Sequence, residues 1–479
     1  MPRHITQSTG AAFDTTEGED EASCAGLVLL YAASHERLPP AFPFRSSEVV
    51  VGREATGGVC VPENAVSRRH ASFIRDGERW SVVDHESRNG TWVDGERITR
   101  MRLRDRARVR IGDAVFAFVE RDADAFVPYA LDGLVRGVPL DDVRELVGGL
   151  AVRRVARTIA RVAPTGLSCV VRGETGTGKE LVARALHRLS ACEGAFQAIN
   201  CAAVPAQLFE SELFGYKKGA FSGADRDKPG LVHGAHKGTL FLDEIAELPL
   251  EQQSKLLRLL QSHEVVPIGA TRAEFVDVRV VAATHQDLAG RVAAGQFRGD
   301  LLARLDEHSF VMPPLRSRKE DVFMLATAFL RRHARTPLSF GFDVMDALVA
   351  YDWPFNVREL EASMKRAATL ADGQTLTRKD LPPQVSARGP AGRADPKEAH
   401  GPSVSNPPVE DAPGDPAGFH RGPPTEALLR RILAEHGGNI AAVARAIGKR
   451  RMQVQRSMQK YGISADEYRV VARGDDQRD

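Results

Sequence analysis

The sequence lacks the features that would place it in a membrane or outside the cell. Its longest apolar runs, such as residues 27–33, are too short to cross a bilayer. Its N-terminus is polar and acidic, unlike a signal peptide. Its five cysteines are scattered, odd in number and without metal-type spacing, which favours reduced thiols over a disulfide framework. We therefore predict a cytoplasmic protein with no membrane partner.

The sequence also lacks a large charge of one sign. A net charge of +2 over 479 residues means that any affinity for nucleic acid must come from a local patch. The length suggests about three domains, and 43% hydrophobic with 27% charged residues is typical of a globular protein. The predicted segments are a disordered lead (1–25), a first domain (26–121), a connector (122–144), a second domain (145–381), a flexible linker rich in Pro and Gly (382–424), a third domain (425–464) and a tail (465–479).

A phosphate-binding loop is predicted near the start of the second domain. Residues 168–171 resemble a buried strand, and residues 181–187 repeat apolar positions with helical spacing. The glycines between them let backbone N–H groups approach phosphate oxygens, and a lysine adds positive charge. Such a turn can be merely structural, but the full pattern favours binding of a nucleoside triphosphate, ATP. The predicted loop consists of Gly173, Glu174, Thr175, Gly176, Thr177, Gly178, Lys179 and Glu180.

Two carboxylates end an apolar run at residues 238–244. A buried strand that carries acids to its C-terminal end suits a Mg²⁺–nucleotide site. We expect Asp243 to hold Mg²⁺, through water because Glu180 replaces the usual hydroxyl ligand, and Glu244 to act as a general base. A further strand, 277–285, ends at His285, which could sense the γ-phosphate. Alternating strands and helices predict an α/β domain with a parallel sheet.

The first domain reads as a β-sandwich, because short strand-like runs at 48–52, 80–83, 91–93 and 115–118 are separated by turn residues. The fragments 52–53, 67–70 and 89–95 resemble the forkhead-associated (FHA) domain, which binds phosphothreonine. Arg53, Ser67, Arg68 and Asn89 would then contact the phosphate. By the same resemblance, His70 would brace a loop. The alternative is a sandwich that recognises no phosphopeptide.

Every second residue from Arg100 to Arg110 is an arginine. Period two predicts one strand with all six arginines on one face. We favour a solvated face; the alternative is a docking surface for an acidic partner or another domain of this chain. The arginines are Arg100, Arg102, Arg104, Arg106, Arg108 and Arg110.

Several motifs of the second domain together resemble the AAA+ activators of sigma-54 RNA polymerase, the bacterial enhancer-binding proteins. They are residues 210–224, the acid pair, residues 297–305, 313–316 and 353–360. The resemblance implies a hexameric ring in which Arg298 and Arg304 reach a neighbour's nucleotide, while Arg358 reports the nucleotide state from a helical lid. Either of the first two arginines could instead be a surface residue.

The same resemblance implies that one loop contacts sigma-54. It comprises Gly219, Ala220, Phe221, Ser222, Gly223 and Ala224. The alternative is an ordinary hairpin turn. Three features depart from the family: Ser222 replaces threonine, Phe355 replaces a lid glycine, and residues 306–308 replace a more apolar run. The first could change contact strength and the second lid packing, but none removes a catalytic group.

The third domain is predicted as three helices with a glycine turn at Gly448. Leu428, Leu429, Ile432 and Leu433 form an apolar stripe on the first helix. The pattern resembles a Fis-type helix-turn-helix, which would bind enhancer DNA; the alternative is a solvated basic helix in a small bundle. The predicted DNA-binding residues are Lys449, Arg450, Arg451, Arg456 and Lys460.

Together these patterns predict a multidomain protein with an all-β FHA sandwich, an α/β AAA+ ATPase domain with a helical lid, and a small all-α helix-turn-helix. The predicted function is ATP-driven remodelling of sigma-54 RNA polymerase under control of a phosphothreonine-containing protein, with ATP and Mg²⁺ as cofactors. One rival is another AAA+ machine, such as a helicase loader or chelatase. The other is a regulator that uses an inactive ATPase fold for assembly only.

Overall fold

The computed structural model describes residues 24–129, 146–387 and 426–436, together with positions 440, 443, 454, 458, 461, 463 and 464. The chain divides into two compact units, residues 1–393 and 394–479. Within the described residues, no helix is long and apolar enough to span a bilayer.

The first part of unit one is a sandwich of two sheets. One sheet has the order β2-β1-β11-β10-β7-β8, and the other has the order β4-β3-β5-β6-β9. All neighbouring strands are antiparallel except β3 and β4. The four predicted strands are confirmed as β3, β6, β7 and β11. The strands are β1 (Gly26–Tyr31), β2 (Ala41–Pro43), β3 (Glu48–Gly52), β4 (Val59–Cys60), β5 (Ala71–Asp76), β6 (Arg79–Asp84), β7 (Thr91–Val93), β8 (Glu96–Ile98), β9 (Arg100–Arg102), β10 (Arg108–Ile111) and β11 (Ala114–Val119).

A short helix, α1 (Ala123–Phe126), follows β11 and packs against β2. Ala123 and Phe126 are buried in the apolar cluster of the sandwich. The first residues of the segment predicted as a connector therefore pack with the sandwich.

The α/β domain contains a five-stranded parallel sheet with the order β13-β16-β19-β12-β20. The parallel sheet is confirmed. Its strands are β12 (Cys169–Arg172), β13 (Phe196–Asn200), β16 (Thr239–Asp243), β19 (Arg279–Thr284) and β20 (His308–Val311). Two hairpins extend from the domain, β14 (Gly215–Tyr216) with β15 (Lys228–Pro229) and β17 (Glu264–Val265) with β18 (Glu274–Phe275).

Helices cover both faces of the parallel sheet. Side chains alternate between two apolar clusters, so that Val170 faces one cluster and Val171 the other. The helices of this domain are α2 (Leu150–Val162), α3 (Lys179–Leu189), α4 (Ala206–Phe214), α5 (Leu231–Gly234), α6 (Leu250–Ser262), α7 (Leu288–Ala293) and α8 (Gly299–Leu305). Helices α2 and α3 contribute to the cluster of Val171, and α4, α6 and α8 contribute to the cluster of Val170.

A helical lid follows the sheet. It contains α9 (Glu320–His333), α10 (Phe342–Ala350), α11 (Asn356–Leu370) and α12 (Pro383–Ser386), with a small parallel pair, β21 (Ser339–Phe340) and β22 (Thr375–Leu376). Helix α12 extends the lid beyond residue 381, and its Val385 is fully buried. Phe355 has φ −106° and a largely exposed side chain, so the replacement of glycine there introduces no backbone strain.

The prediction of one strand with six arginines on a solvated face is wrong. Arg100 and Arg102 lie in β9 of one sheet, whereas Arg108 and Arg110 lie in β10 of the other. The chain turns between them, with Arg106 at φ +63°. Arg108 and Arg110 are largely buried against the lid, so part of the stretch is a docking surface for another domain of this chain.

In the second unit the structure describes one complete helix, α13 (Glu426–Glu435). Leu429, Ile432 and Leu433 of the predicted stripe are buried, and Val443, Val454, Met458 and Ile463 complete their apolar cluster. Residues 440, 443, 454 and 458 have helical conformation. The predicted first helix and its buried stripe are therefore confirmed at the described positions.

Candidate nucleotide and phosphate sites

The predicted phosphate loop connects β12 to α3, which begins at Lys179. Gly176 and Gly178 have φ +80° and +102°, a region that other residues rarely occupy. Lys179 is only 7% exposed, and its Nζ donates to the carbonyl oxygen of Gly173 at 2.9 Å. Glu180 instead forms an ion pair with Arg184 on the exposed side of α3. The loop thus combines backbone N–H groups, a helix N-terminus and one buried cation.

The acid pair lies beside this lysine. Glu244, at φ +52°, has a carboxylate oxygen 3.5 Å from Lys179 Nζ and another 2.7 Å from His285 Nδ1. Burial, followed by the neighbouring Glu244 charge, raises the pKa of Asp243. Nearby positive charge would offset that repulsion, so the pair fits a divalent cation. Within the described ranges, no group of three His, Cys, Asp or Glu side chains could hold a metal ion.

Three contacts at the site were not predicted from the sequence. Asn200 Nδ2 donates to Asp243 Oδ2 at 3.1 Å, and the sheet register pairs these two strand-end residues. Arg316 binds both carboxylate oxygens of Glu174, and Asn356 Nδ2 donates to Glu174 and to the carbonyl oxygen of Thr175. Arg316 and Asn356 belong to the motifs 313–316 and 353–360, and Asn200 ends a strand, but none of these signals identifies the partner.

The lid arginine Arg358 lies near the phosphate loop. A Cβ atom added to Gly176 would lie 3.1 Å from the Cβ of Arg358. The N–H of the neighbouring Val357 donates to the Gly176 carbonyl oxygen at 3.0 Å. Arg298 and Arg304 lie elsewhere, at the start and in the last turn of α8. Both are exposed, and Arg298 forms an ion pair with Asp300. Within the described residues, no hydrogen bond or ion pair joins either arginine to the phosphate loop of the same chain.

Residues 219–224 form the tip of the β14–β15 hairpin. The Gly219 N–H donates to the Ala224 carbonyl oxygen at 2.8 Å, which closes the loop. Phe221 remains 46% exposed although its ring contacts Tyr216 at a centroid distance of 4.9 Å. Ser222 is exposed next to it. The tip therefore presents an aromatic ring and a hydroxyl group to solvent.

The predicted phosphothreonine residues lie on neighbouring loops of the sandwich. The Arg53 N–H donates to the Ser67 carbonyl oxygen at 2.9 Å, and Ser67 Oγ accepts from the Arg88 N–H at 3.2 Å. Arg68 is exposed, whereas Asn89 Nδ2 donates inward to the Ala65 carbonyl oxygen at 2.6 Å. These contacts bring the four predicted residues onto one edge of the domain.

His70 braces these loops, as predicted. It is fully buried, its Nδ1 accepts from the Ser67 N–H at 3.1 Å, and its Nε2 lies 3.3 Å from the Gly90 carbonyl oxygen. Burial lowers the pKa of His70, which favours the neutral ring. The five predicted DNA-binding residues, Lys449, Arg450, Arg451, Arg456 and Lys460, lie outside the described residues.

The fold and these sites define the class of the protein. The α/β domain with its lid is an AAA+ domain, and the sandwich is an FHA domain. The matching family models are the Sigma-54 interaction domain over residues 148–310, the AAA+ ATPase lid domain over residues 316–398 and the FHA domain over residues 49–112.

Curated relatives extend this similarity. The transcriptional regulatory protein ZraR of Salmonella typhimurium is 40% identical over 303 residues, 57% of this chain and 69% of ZraR. The regulatory protein AtoC of Escherichia coli is 38% identical over 323 residues, 66% of this chain and 68% of AtoC. The chain belongs to the family of sigma-54-dependent transcriptional regulators, and it carries an FHA domain.

Coverage differs among these relatives. The match to the uric acid sigma-54-dependent transcriptional regulator UacR of Escherichia coli is 40% identical and covers 67% of this chain, but it spans only about half of UacR (54%). Among solved structures, NtrX from Brucella abortus in complex with ADP is 32% identical, with a TM-score of 0.49, over 68% of this chain and 71% of NtrX.

Proposed function

We propose that the α/β domain hydrolyses ATP. The buried Lys179 and the loop N–H groups would hold the phosphates, Asp243 would hold Mg²⁺, and His285 would hold Glu244 in place at 2.7 Å. Glu244 would accept a proton from the attacking water as the bond between the β,γ-bridging oxygen and the γ-phosphorus breaks. Bound Mg²⁺ would neutralise charge on the phosphate oxygens. This intact set argues against an ATPase fold used only for assembly.

Hydrolysis would require a neighbouring subunit. Arg298 and Arg304 are exposed on α8, where they could reach the nucleotide of the next subunit in a ring. A guanidinium that stabilises charge on the transferring phosphoryl group would make the active site incomplete in a single chain. Arg358, close to Gly176, would respond to the nucleotide from within the same chain.

We infer that the hairpin tip at 219–224 couples this hydrolysis to sigma-54. The observation that carries the proposal is the exposed Phe221 on a glycine-bounded tip within a domain whose nucleotide site is assembled. Nothing at the tip can bind nucleotide or transfer a proton, and an exposed aromatic side chain suits contact with a partner. Its burial would contribute about 1.5–3 kcal/mol to binding. The tip therefore argues against the rival of another AAA+ machine, such as a helicase loader or chelatase.

Two further domains would provide control and targeting. The loops with Arg53, Ser67, Arg68 and Asn89 would bind a phosphothreonine-containing protein, because two arginines and two neutral donors can surround a phosphate. The third domain, residues 425–464, would bind enhancer DNA through its basic residues, and its buried helical stripe supports a compact helical domain there.

The test of the proposed function is complex formation with sigma-54 in the presence of ADP–aluminium fluoride, which imitates the transition state. We expect the wild-type protein to bind sigma-54 only with this mimic. Phe221→Ala should weaken binding by about 10- to 150-fold, the range that corresponds to the lost burial. Leu208→Ala is a matched control, because Leu208 is an exposed apolar side chain of the same domain. Equal loss in both variants, or wild-type binding without nucleotide, would contradict the proposal.

A further inference from the structure

Two strands of the sandwich are buried on both faces. All six residues of β1 and all six of β11 are buried, although antiparallel strands of a sandwich normally alternate between core and solvent. The second face is covered by the lid, since the apolar cluster of the sandwich continues without a break into α9, α10 and α11. The Tyr31 ring contacts the Phe323 ring at 5.3 Å, and its hydroxyl donates to the Phe340 carbonyl oxygen at 3.3 Å. The sandwich and lid therefore share one core.

Arginines of β10 fix the orientation of this interface. Arg108 Nη1 donates to Asp346 Oδ1 of α10 at 3.0 Å and to the Asp346 carbonyl oxygen at 3.2 Å. The Arg110 guanidinium lies 4.6 Å from the centre of the Phe342 ring and 4.0 Å from Asp346 Oδ2. Asp346 is almost fully buried, so these contacts are shielded from solvent.

Arg110 also contacts β7, beside the loops that carry the predicted phosphothreonine residues. Its guanidinium lies 5.7 Å from the centre of the Trp92 ring, and Trp92 Nε1 donates to the Asn89 carbonyl oxygen at 3.3 Å. The turn after β10 approaches the same loops, since a side chain on Gly112 would lie 2.6 Å from the Ala65 carbonyl oxygen. That carbonyl group is the acceptor of Asn89 Nδ2. Arg110 thus contacts both the lid and Trp92, whose indole N–H donates to the backbone of Asn89, a predicted phosphate ligand.

The segment that precedes α9 connects the lid to the ATP phosphate loop. Arg316 binds Glu174 in two places, and Arg318 Nη2 donates to the Thr177 carbonyl oxygen at 3.3 Å. The sandwich contacts the residue that follows this segment, because Arg106 Nη1 lies 3.6 Å from the carboxylate of Glu320, the first residue of α9. Lys319 of this segment donates to the carbonyl oxygen of Val349 in α10 at 2.8 Å, so contacts between packed groups also join α10 to the segment that binds the phosphate loop.

From these contacts we propose that the docked sandwich holds the lid against the phosphate loop and that phosphothreonine binding loosens this arrangement. The inference rests on the proposed phosphothreonine function of the sandwich. A phosphate that draws the Asn89 amide away from Ala65 disturbs the loops that support Trp92 and Arg110. The interface with Phe342 and Asp346 then weakens, and the lid holds nucleotide less tightly. Phosphothreonine and nucleotide are consequently negatively coupled, and the coupling is reciprocal.

The test measures the affinity of the full-length protein for fluorescent ADP, with and without a saturating pool of randomised phosphothreonine peptides. The unphosphorylated pool is the control ligand. In the wild-type protein, we expect the phosphorylated pool to raise the Kd for ADP by about fivefold, at the lower end of typical coupling. Arg110→Lys keeps the charge but loses the planar contact with Phe342 and Trp92, and Asp346→Asn keeps the shape but loses the charge. Both should raise the Kd without peptide by a similar factor and remove the response to peptide.

Arg102→Lys is the matched control, because Arg102 belongs to the same arginine-rich stretch but is exposed on the other sheet. It should behave as the wild-type protein does. If the pool binds and the Kd for ADP does not change, the coupling is refuted while the phosphothreonine proposal stands. If the pool does not bind, the phosphothreonine proposal and its coupling to nucleotide both fail, and the variants test whether the docked sandwich holds the lid. An unchanged Kd for ADP in both Arg110→Lys and Asp346→Asn refutes that claim, and a rise in Kd that is absent from Arg102→Lys supports it.

Discussion

The phosphate loop of the AAA+ domain and the arginine loops of the FHA domain differ in how much of each site is built before a ligand arrives. Lys179 is buried and already bonded to its own loop, and Glu244 lies between Lys179 and His285. In the sandwich, Arg68 is exposed, and Asn89 donates to a backbone carbonyl group. A preorganised site loses little freedom on binding, whereas the sandwich loops would have to rearrange to bind a phosphate through Asn89. This difference suits a motor in one case and a switch in the other.

The largest effect should come from a residue outside the preorganised part of the ATP site. Arg304→Ala should keep nucleotide binding and lower turnover by about 10³-fold, because an arginine supplied by a neighbour stabilises the transition state and not the bound ground state. Steady-state hydrolysis and ADP binding measure the two effects separately. Arg331→Ala, an exposed lid arginine, is the control.

Mixing Arg304→Ala with Glu244→Ala subunits extends this test. Some interfaces in a mixed ring would contain both an intact Glu244 and an intact Arg304, so activity should partly return. Wild-type turnover in Arg304→Ala alone, or no recovery in any mixture, would contradict a shared site.

Removal of Lys179 should disrupt the preorganised site itself. Lys179→Ala should weaken ATP binding by about 30- to 1,000-fold, since loss of one partner of a buried charged pair costs about 2–4 kcal/mol. Calorimetry with ATP measures this directly. Lys237→Ala, which removes a lysine with a more exposed side chain, should have no such effect. Near-normal ATP affinity in Lys179→Ala would show that the buried arrangement is not the binding site.

A smaller loss is expected in the sandwich. Arg53→Ala should lower affinity for a phosphothreonine peptide by about 10- to 150-fold, the value of one charge-assisted hydrogen bond of 1.5–3 kcal/mol. It should leave the unfolding temperature nearly unchanged, because Arg53 is a partly exposed residue of a turn at the edge of the domain. Arg79→Ala controls for a general loss of positive charge. A large fall in stability together with unchanged peptide affinity would instead assign Arg53 a structural role.

The smallest effect concerns the lid segment between the two sites. Burial, followed by repulsion from Asp321, raises the pKa of Glu320 to about 7, with Arg106 and Arg318 acting in the opposite direction. The folded protein therefore binds an extra proton between pH 4.5, the ordinary value, and pH 7, so stability should fall as pH rises through this window. Glu320→Gln should remove that fall and add about 1–3 kcal/mol at pH 8. Denaturant unfolding at several pH values tests this. A free energy of unfolding that falls between pH 4.5 and pH 7 as steeply in Glu320→Gln as in the wild-type protein would contradict it.

Local sequence patterns predicted the strands, the phosphate loop and the acid pair, because each depends on residues close together in the chain. The contacts of Asn200 with Asp243 and of Arg316 with Glu174 join residues 43 and 142 positions apart, so no local pattern could indicate them. The arginine stretch was misread because alternation cannot reveal a turn at Arg106. The unbroken apolar runs of β1 and β11 are the sequence signal that both faces of these strands are covered. An apolar run does not identify the element that covers it.

The most direct test of the central claim is open-complex formation by sigma-54 RNA polymerase at a promoter with an upstream binding site for this protein. The wild-type protein should produce open complexes with ATP and none with a non-hydrolysable analogue. Phe221→Ala should hydrolyse ATP at close to the wild-type rate and produce no open complexes, while Leu208→Ala should do both. Normal open-complex formation by Phe221→Ala, or none by the wild-type protein with ATP, would contradict the account.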